Sequence, residues 1–143
     1  MKESKKTILE FDESSVEAFN ELKKALKPNT GSEPSNREVF LLAMAYGFEH
    51  GAKAQEIKRS GTGTRVQYFK PEDHALMAAI QLAEDRSNVN LPDIEKRYEL
   101  AELYAQGGIL LLRNEIAGGS RFGNELAAEI IALLPDVELT DEL

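Results

Sequence analysis

The chain has 143 residues, 42% of them hydrophobic and 29% charged, no cysteine, and a formal net charge of -8 at pH 7. That length suits one domain with a real core, while the lack of cysteine excludes disulfides, thiolate nucleophiles and thiolate metal sites. The acidic total excludes the basic body of a nonspecific nucleic-acid binder; with no apolar run near the roughly 20 residues of a membrane span and no secretion core at the N-terminus, a soluble cytoplasmic protein without a membrane partner is expected.

Thr7–Phe11 is a short β-prone run. Ser14 and Glu17 then stand at capping-box spacing before an amphipathic helix with Val16, Phe19, Leu22 and Leu26 on its stripe, which Pro28 is expected to end. Ser35 and Glu38 repeat the capping spacing ahead of Arg37–Phe48, a segment apolar nearly all round and so predicted to be the buried central helix. Lys58–Arg65 reads as a flexible basic loop, with Val66–Phe69 a candidate short strand.

Pro71 suits a first helical position, with Glu72 and Asp73 placed against the helix dipole and Leu76, Met77, Ile80 and Ala83 as the stripe. Asp85–Asn90 connects to a long helix opening at Pro92 and Asp93, striped by Ile94, Tyr98, Ala101, Tyr104, Gly108, Leu111 and Leu112 and broken at Ala117–Ser120. Inside it lies the pair Gly107-Gly108. Each glycine in a helix interior costs about 1 kcal/mol relative to alanine, so the pair predicts close approach of a neighbouring backbone. A last helix is expected from Phe122 to Leu134.

These elements predict a mainly α fold, a single-domain bundle of about five helices with one or two short β-strands. Residues 1–134 form that domain: strand plus helix at 7–26, a linker at 27–34 and a helical core at 35–134. Residues 135–143 make an acidic tail expected to be disordered.

The chain offers little chemistry. The two histidines, His50 and His74, fall in different elements, so no zinc pair is expected. Ser60 sits in a Gly-rich loop without a serine elbow or a phosphate-loop lysine, although a phosphate could be cradled there. Glu95, Glu99 and Glu102 interleave with Lys96 and Arg97 as a solvated helix face does. Tyr98 and Tyr104 read as core aromatics with hydroxyls at the boundary, and an enzyme would need a deep pocket near them or His74. No catalytic residue, metal or cofactor is therefore expected.

Charge distribution says more. Between Ala52 and Lys70, five cations (Lys53, Lys58, Arg59, Arg65 and Lys70) oppose only Glu56, a local balance of +4, and Tyr68 and Phe69 lie beside them to stack on a base. These five are the candidate nucleic-acid-binding residues, as phosphate contacts that position rather than read sequence. The strand–helix–linker–helix order of the first fifty residues also fits a ribbon-helix-helix dimer, with Lys6, Ile8 and Glu10 on one strand face and Leu9 and Phe11 on the other.

From Asn36 to about Leu134 the order of motifs resembles the fourth Dnd system-associated protein family. The residues that carry the likeness are Arg37–Phe48, Thr64–Phe69, Ala79–Glu84 and Tyr104-Ala-Gln-Gly-Gly-Ile-Leu-Leu-Leu112, with Gln106 where the family pattern has asparagine. The resemblance implies genomic company with systems that place sulphur in the DNA backbone or restrict DNA lacking it, and it supplies no functional residues. The expected function is a noncatalytic accessory of such a defence system, contacting DNA or its protein machinery through the basic loop. The alternatives are an adaptor without DNA affinity and a ribbon-helix-helix-like regulator.

Overall fold

The computed structural model describes residues 6–30, 32–86 and 93–118. Among them lie β1 (Ile8–Asp12), α1 (Val16–Thr30), α2 (Asn36–Glu49), β2 (Arg59–Arg65), α3 (Pro71–Glu84) and α4 (Ile94–Gly118), with single 3-10 turns at Glu13–Ser15 and Val66–Tyr68. The fold is mainly α, as expected. The proposed fifth helix, Phe122–Leu134, the tail at 135–143 and most of the Asp85–Asn90 connection lie outside the described residues.

α2 is the centre. Ser35 and Glu38 close the predicted capping box, and every residue from Val39 to Gly47 is buried. Its most extensive contact is with α4, and glycine makes that contact possible. A Cβ on Gly108 would lie 1.8 Å from the Ala43 carbonyl oxygen, and one on Gly107 would lie 1.9 Å from that of Ala52, in the segment leaving α2. The two glycines thus admit two different stretches of backbone. Phe11 and Phe19 stack with ring centroids 3.8 Å apart, joining β1 and α1 to the same core.

Three local expectations are corrected. The 3-10 turn before α1 is capped by Asp12, which accepts from the Ser14 N–H at 2.8 Å, rather than by a Ser14–Glu17 box. α1 runs through Pro28 to Thr30, so the linker is shorter than 27–34; a proline in the last turn removes one backbone bond without stopping the few residues that remain. The basic loop is a strand, and Val66–Tyr68 is a turn.

β2 pairs antiparallel with β1 in the register Ile8↔Arg65, Leu9↔Thr64, Glu10↔Gly63 and Asp12↔Arg59, with an irregularity between Glu10 and Asp12. β2 adopts this form because β1 supplies its hydrogen-bond partners. Leu9 and Phe11 face the core at 0% and 2% exposure. β1 pairs one edge with β2 and turns Leu9 and Phe11 into the helical core, whereas the ribbon-helix-helix expectation pairs this strand with a second copy.

Candidate nucleic-acid interface

The five sequence-picked cations do not form one patch. Lys53 is ion-paired with Glu84 and lies 5.9 Å from the centroid of the Tyr104 ring. Lys58 sits beside Asp12, whose carboxylate accepts the Lys58 N–H at 2.7 Å. Arg59 donates to Glu10 at 2.9 Å and approaches Glu102 at 3.9 Å. Lys70 is half-buried at the start of α3, its N–H donated to Asp73 at 2.8 Å. Arg65 is exposed and has no ion-pair partner among the described residues.

The Gly-rich stretch does cradle an anion, but one of the protein's own. Gly61 has φ +82°, a left-handed conformation that glycine adopts without strain. The Ser60 and Gly61 N–H groups converge on one carboxylate oxygen of Glu10, at 3.0 and 2.8 Å. Burial alone would push the Glu10 carboxyl up; these amides and Arg59 outweigh it and hold the group below its ordinary value. The phosphate cradle suggested at Ser60 is thereby filled from within.

Behind it lies Glu102, which the sequence placed on a solvated face and which is 3% exposed. It accepts the Glu10 N–H at 2.8 Å and pairs with Lys6 at 3.4 Å. Burial raises its pKa against the pull of those donors and of Arg59. Glu95 and Glu99 do border solvent, lining with Lys6, Glu10 and Arg59 a shallow recess of about 370 Å³.

The larger feature is an open groove of about 680 Å³ between β2, the N-terminus of α2 and α1. Arg65, Lys23 and Arg37 line it, together with Asn36, Thr64 and Tyr68. Arg37 is held bidentately by buried Asp73, at 2.8 and 3.2 Å, so its charge is matched internally. Lys23, like Arg65, has no ion-pair partner among the described residues. Tyr68 is 59% exposed, whereas Phe69, the other stacking candidate, is 6% exposed and packs edge-on against Phe40. Two of the lining residues each hold a polar atom that is buried from solvent, the Thr64 hydroxyl and Asn36 Oδ1, with no hydrogen-bond partner among the described residues.

Sequence reasoning missed Lys23 and Arg37 because nothing in a helical pattern distinguishes a cation that borders a groove from one in open solvent. The histidines pack on rings: His50 lies against Tyr46, and His74 between Phe69 and Tyr98. Burial lowers the His74 pKa, with Asp73 opposing and Arg97 reinforcing the shift. Neither cleft takes a wall from His74, Tyr98 or Tyr104.

A family model described as DNA sulphur modification system-associated protein 4 matches residues 15–136. The chain belongs to this family. The match reaches back from Asn36 to Ser15, so α1 with Lys23 is part of the unit the DNA sulphur modification system-associated protein 4 family shares, whereas β1 precedes it. Association with a DNA sulphur modification system follows from that membership. No curated protein and no solved structure matches the chain. Among the described residues no helix is long and apolar enough to cross a membrane.

Proposed function

We propose that the protein is a noncatalytic accessory of a DNA sulphur modification system, one that holds nucleic-acid phosphates in the groove between α1, α2 and β2. The observation that carries this reading is the pairing, in one groove, of Arg65 and Lys23, two cations without an ion-pair partner among the described residues, while Lys53 and Arg59 are neutralised internally. The family supplies the context in which DNA is the polyanion at hand. With a net charge of -8, the rest of the molecule repels the same polyanion, so contact is confined to this groove and is weak.

Fluorescence anisotropy with labelled oligonucleotides at 50 and 200 mM salt tests it. Two phosphate contacts give a salt slope near -2, or about a tenfold loss of affinity over that range. The Lys23→Ala/Arg65→Ala double variant should lose both the binding and the slope, whereas Lys53→Ala should keep them. Absence of salt-sensitive binding by the wild-type protein to any oligonucleotide would overturn the reading in favour of an adaptor that docks on the protein machinery.

A further inference from the structure

Resting on that reading, we infer that the groove takes a single-stranded nucleic-acid segment, with one base lying on the Tyr68 ring and the flanking phosphates at Arg65 and Lys23. Tyr68 ends a 3-10 turn closed by the Phe69 N–H to the Val66 carbonyl, and Phe69 beside it is buried. The turn therefore presents a mostly exposed ring from a fixed backbone, at the edge of the groove that both unmatched cations line. Base stacking on an aromatic is the gain open to such a ring, and it needs a base whose face is uncovered. A duplex keeps those faces stacked inside.

The shape agrees. Duplex readers insert a helix or ribbon into a DNA groove, whereas this surface is concave, with a volume inside the span of about 300–1,000 Å³ typical of ligand sites. The groove thus combines a stacking ring and two cations, the parts a nucleotide within a flexible strand requires.

The experiment compares a labelled single strand, its complement-annealed duplex and the same strand in RNA, against wild type, Tyr68→Ala and Tyr68→Phe, each first shown by its melt to be folded. We expect the single strand of DNA to bind about tenfold or more tightly than the duplex. Tyr68→Ala should weaken it about tenfold and Tyr68→Phe hardly at all, because the ring is kept. Tyrosine fluorescence should be quenched on adding the strand to wild type and much less so in Tyr68→Phe, although the variant still binds. Equal affinity for strand and duplex with Tyr68→Ala unchanged would sink this inference while leaving phosphate binding by the groove intact. Salt-insensitive or absent binding to all three would sink the underlying reading as well. Preference for the RNA strand with the same dependence on Tyr68 supports the stacking site and moves the ligand from DNA to RNA.

Discussion

Gly47 of α2 and Gly108 of α4 face each other so closely that a methyl group on either would fall within 3 Å of the other's backbone nitrogen: 2.9 Å for a Cβ on Gly47 and 2.8 Å for one on Gly108. The two helices therefore meet backbone to backbone. Carbonyl oxygens close the contact from both helices: a Cβ on Gly108 would lie 1.8 Å from that of Ala43, and one on Gly47 2.2 Å from that of Tyr104.

This contact reverses the usual sign of a glycine substitution. In an unconstrained helix interior, Gly→Ala stabilises by about 1 kcal/mol. At Gly108 the added carbon would sit 1.8 Å from the Ala43 carbonyl oxygen, which is backbone and cannot swing away. Gly108→Ala should therefore destabilise by about 3 kcal/mol or more, the upper end of overpacking penalties and a large share of the roughly 5–15 kcal/mol of a typical domain. Urea unfolding measures it. A midpoint equal to or above the wild type would show that α2 and α4 can separate freely.

Glu102 gives a pH-dependent prediction. Its folded-state pKa lies above the ordinary 4.5 because burial disfavours the carboxylate. As pH falls from neutral, the folded chain takes up this proton before the unfolded chain does. This group's contribution to stability therefore rises through the elevated folded value and levels off once the unfolded carboxyl protonates. Glu102→Gln removes the titration and keeps an acceptor for the Glu10 N–H. Relative to wild type the variant should look best at pH 7 and lose that advantage as pH is lowered towards 4.5. Comparing the two proteins cancels most of the opposite trend from Glu10, whose pKa is lowered. A difference independent of pH would refute the buried, up-shifted carboxylate. Glu102→Leu, which strands the Glu10 N–H, should be about 1–3 kcal/mol less stable than Glu102→Gln at every pH.

What the sequence made legible was local. The Ser35–Glu38 box, the apolar run of α2, Pro71 at the head of α3 and the close packing at Gly107-Gly108 each follow from a few neighbouring residues, and each is present. What stayed hidden depends on partners far along the chain. Arg59–Arg65 holds two glycines and no aliphatic residue, so its strand form comes from β1 about fifty positions earlier rather than from its own propensity. Glu102 keeps helical spacing with Glu95 and Glu99; its burial follows from the Glu10 N–H, 92 residues away, which no periodicity registers. The groove likewise draws Lys23, Arg37 and Arg65 from three elements, and only folding separates Arg65 from the cations that are matched within the chain.

Tyr104 supplies the last prediction. Its hydroxyl donates to one oxygen of Glu84 at 2.7 Å while the Lys53 ammonium pairs with the other. Burial first, and then the Glu84 carboxylate, push the Tyr104 pKa up to about 12 from an ordinary 10. The sign follows from the proton count: the unfolded chain gives up this proton near pH 10 and the folded chain keeps it to about 12, so the contribution is fully present below 10 and lost as pH climbs between those values. Glu84→Gln removes the negative charge that opposes the phenolate. The phenolate absorbance attributable to Tyr104, taken as the difference from Tyr104→Phe, should then appear at lower pH than in wild type. Lys53→Ala acts in the reverse sense, because Lys53 is the foremost cause of the lowered Glu84 pKa and its loss leaves the carboxylate's charge unmatched beside the phenol. Should both variants titrate like the wild type, the Lys53–Glu84–Tyr104 chain does not exist in solution, and Lys53 returns to the set of cations free to meet an anion.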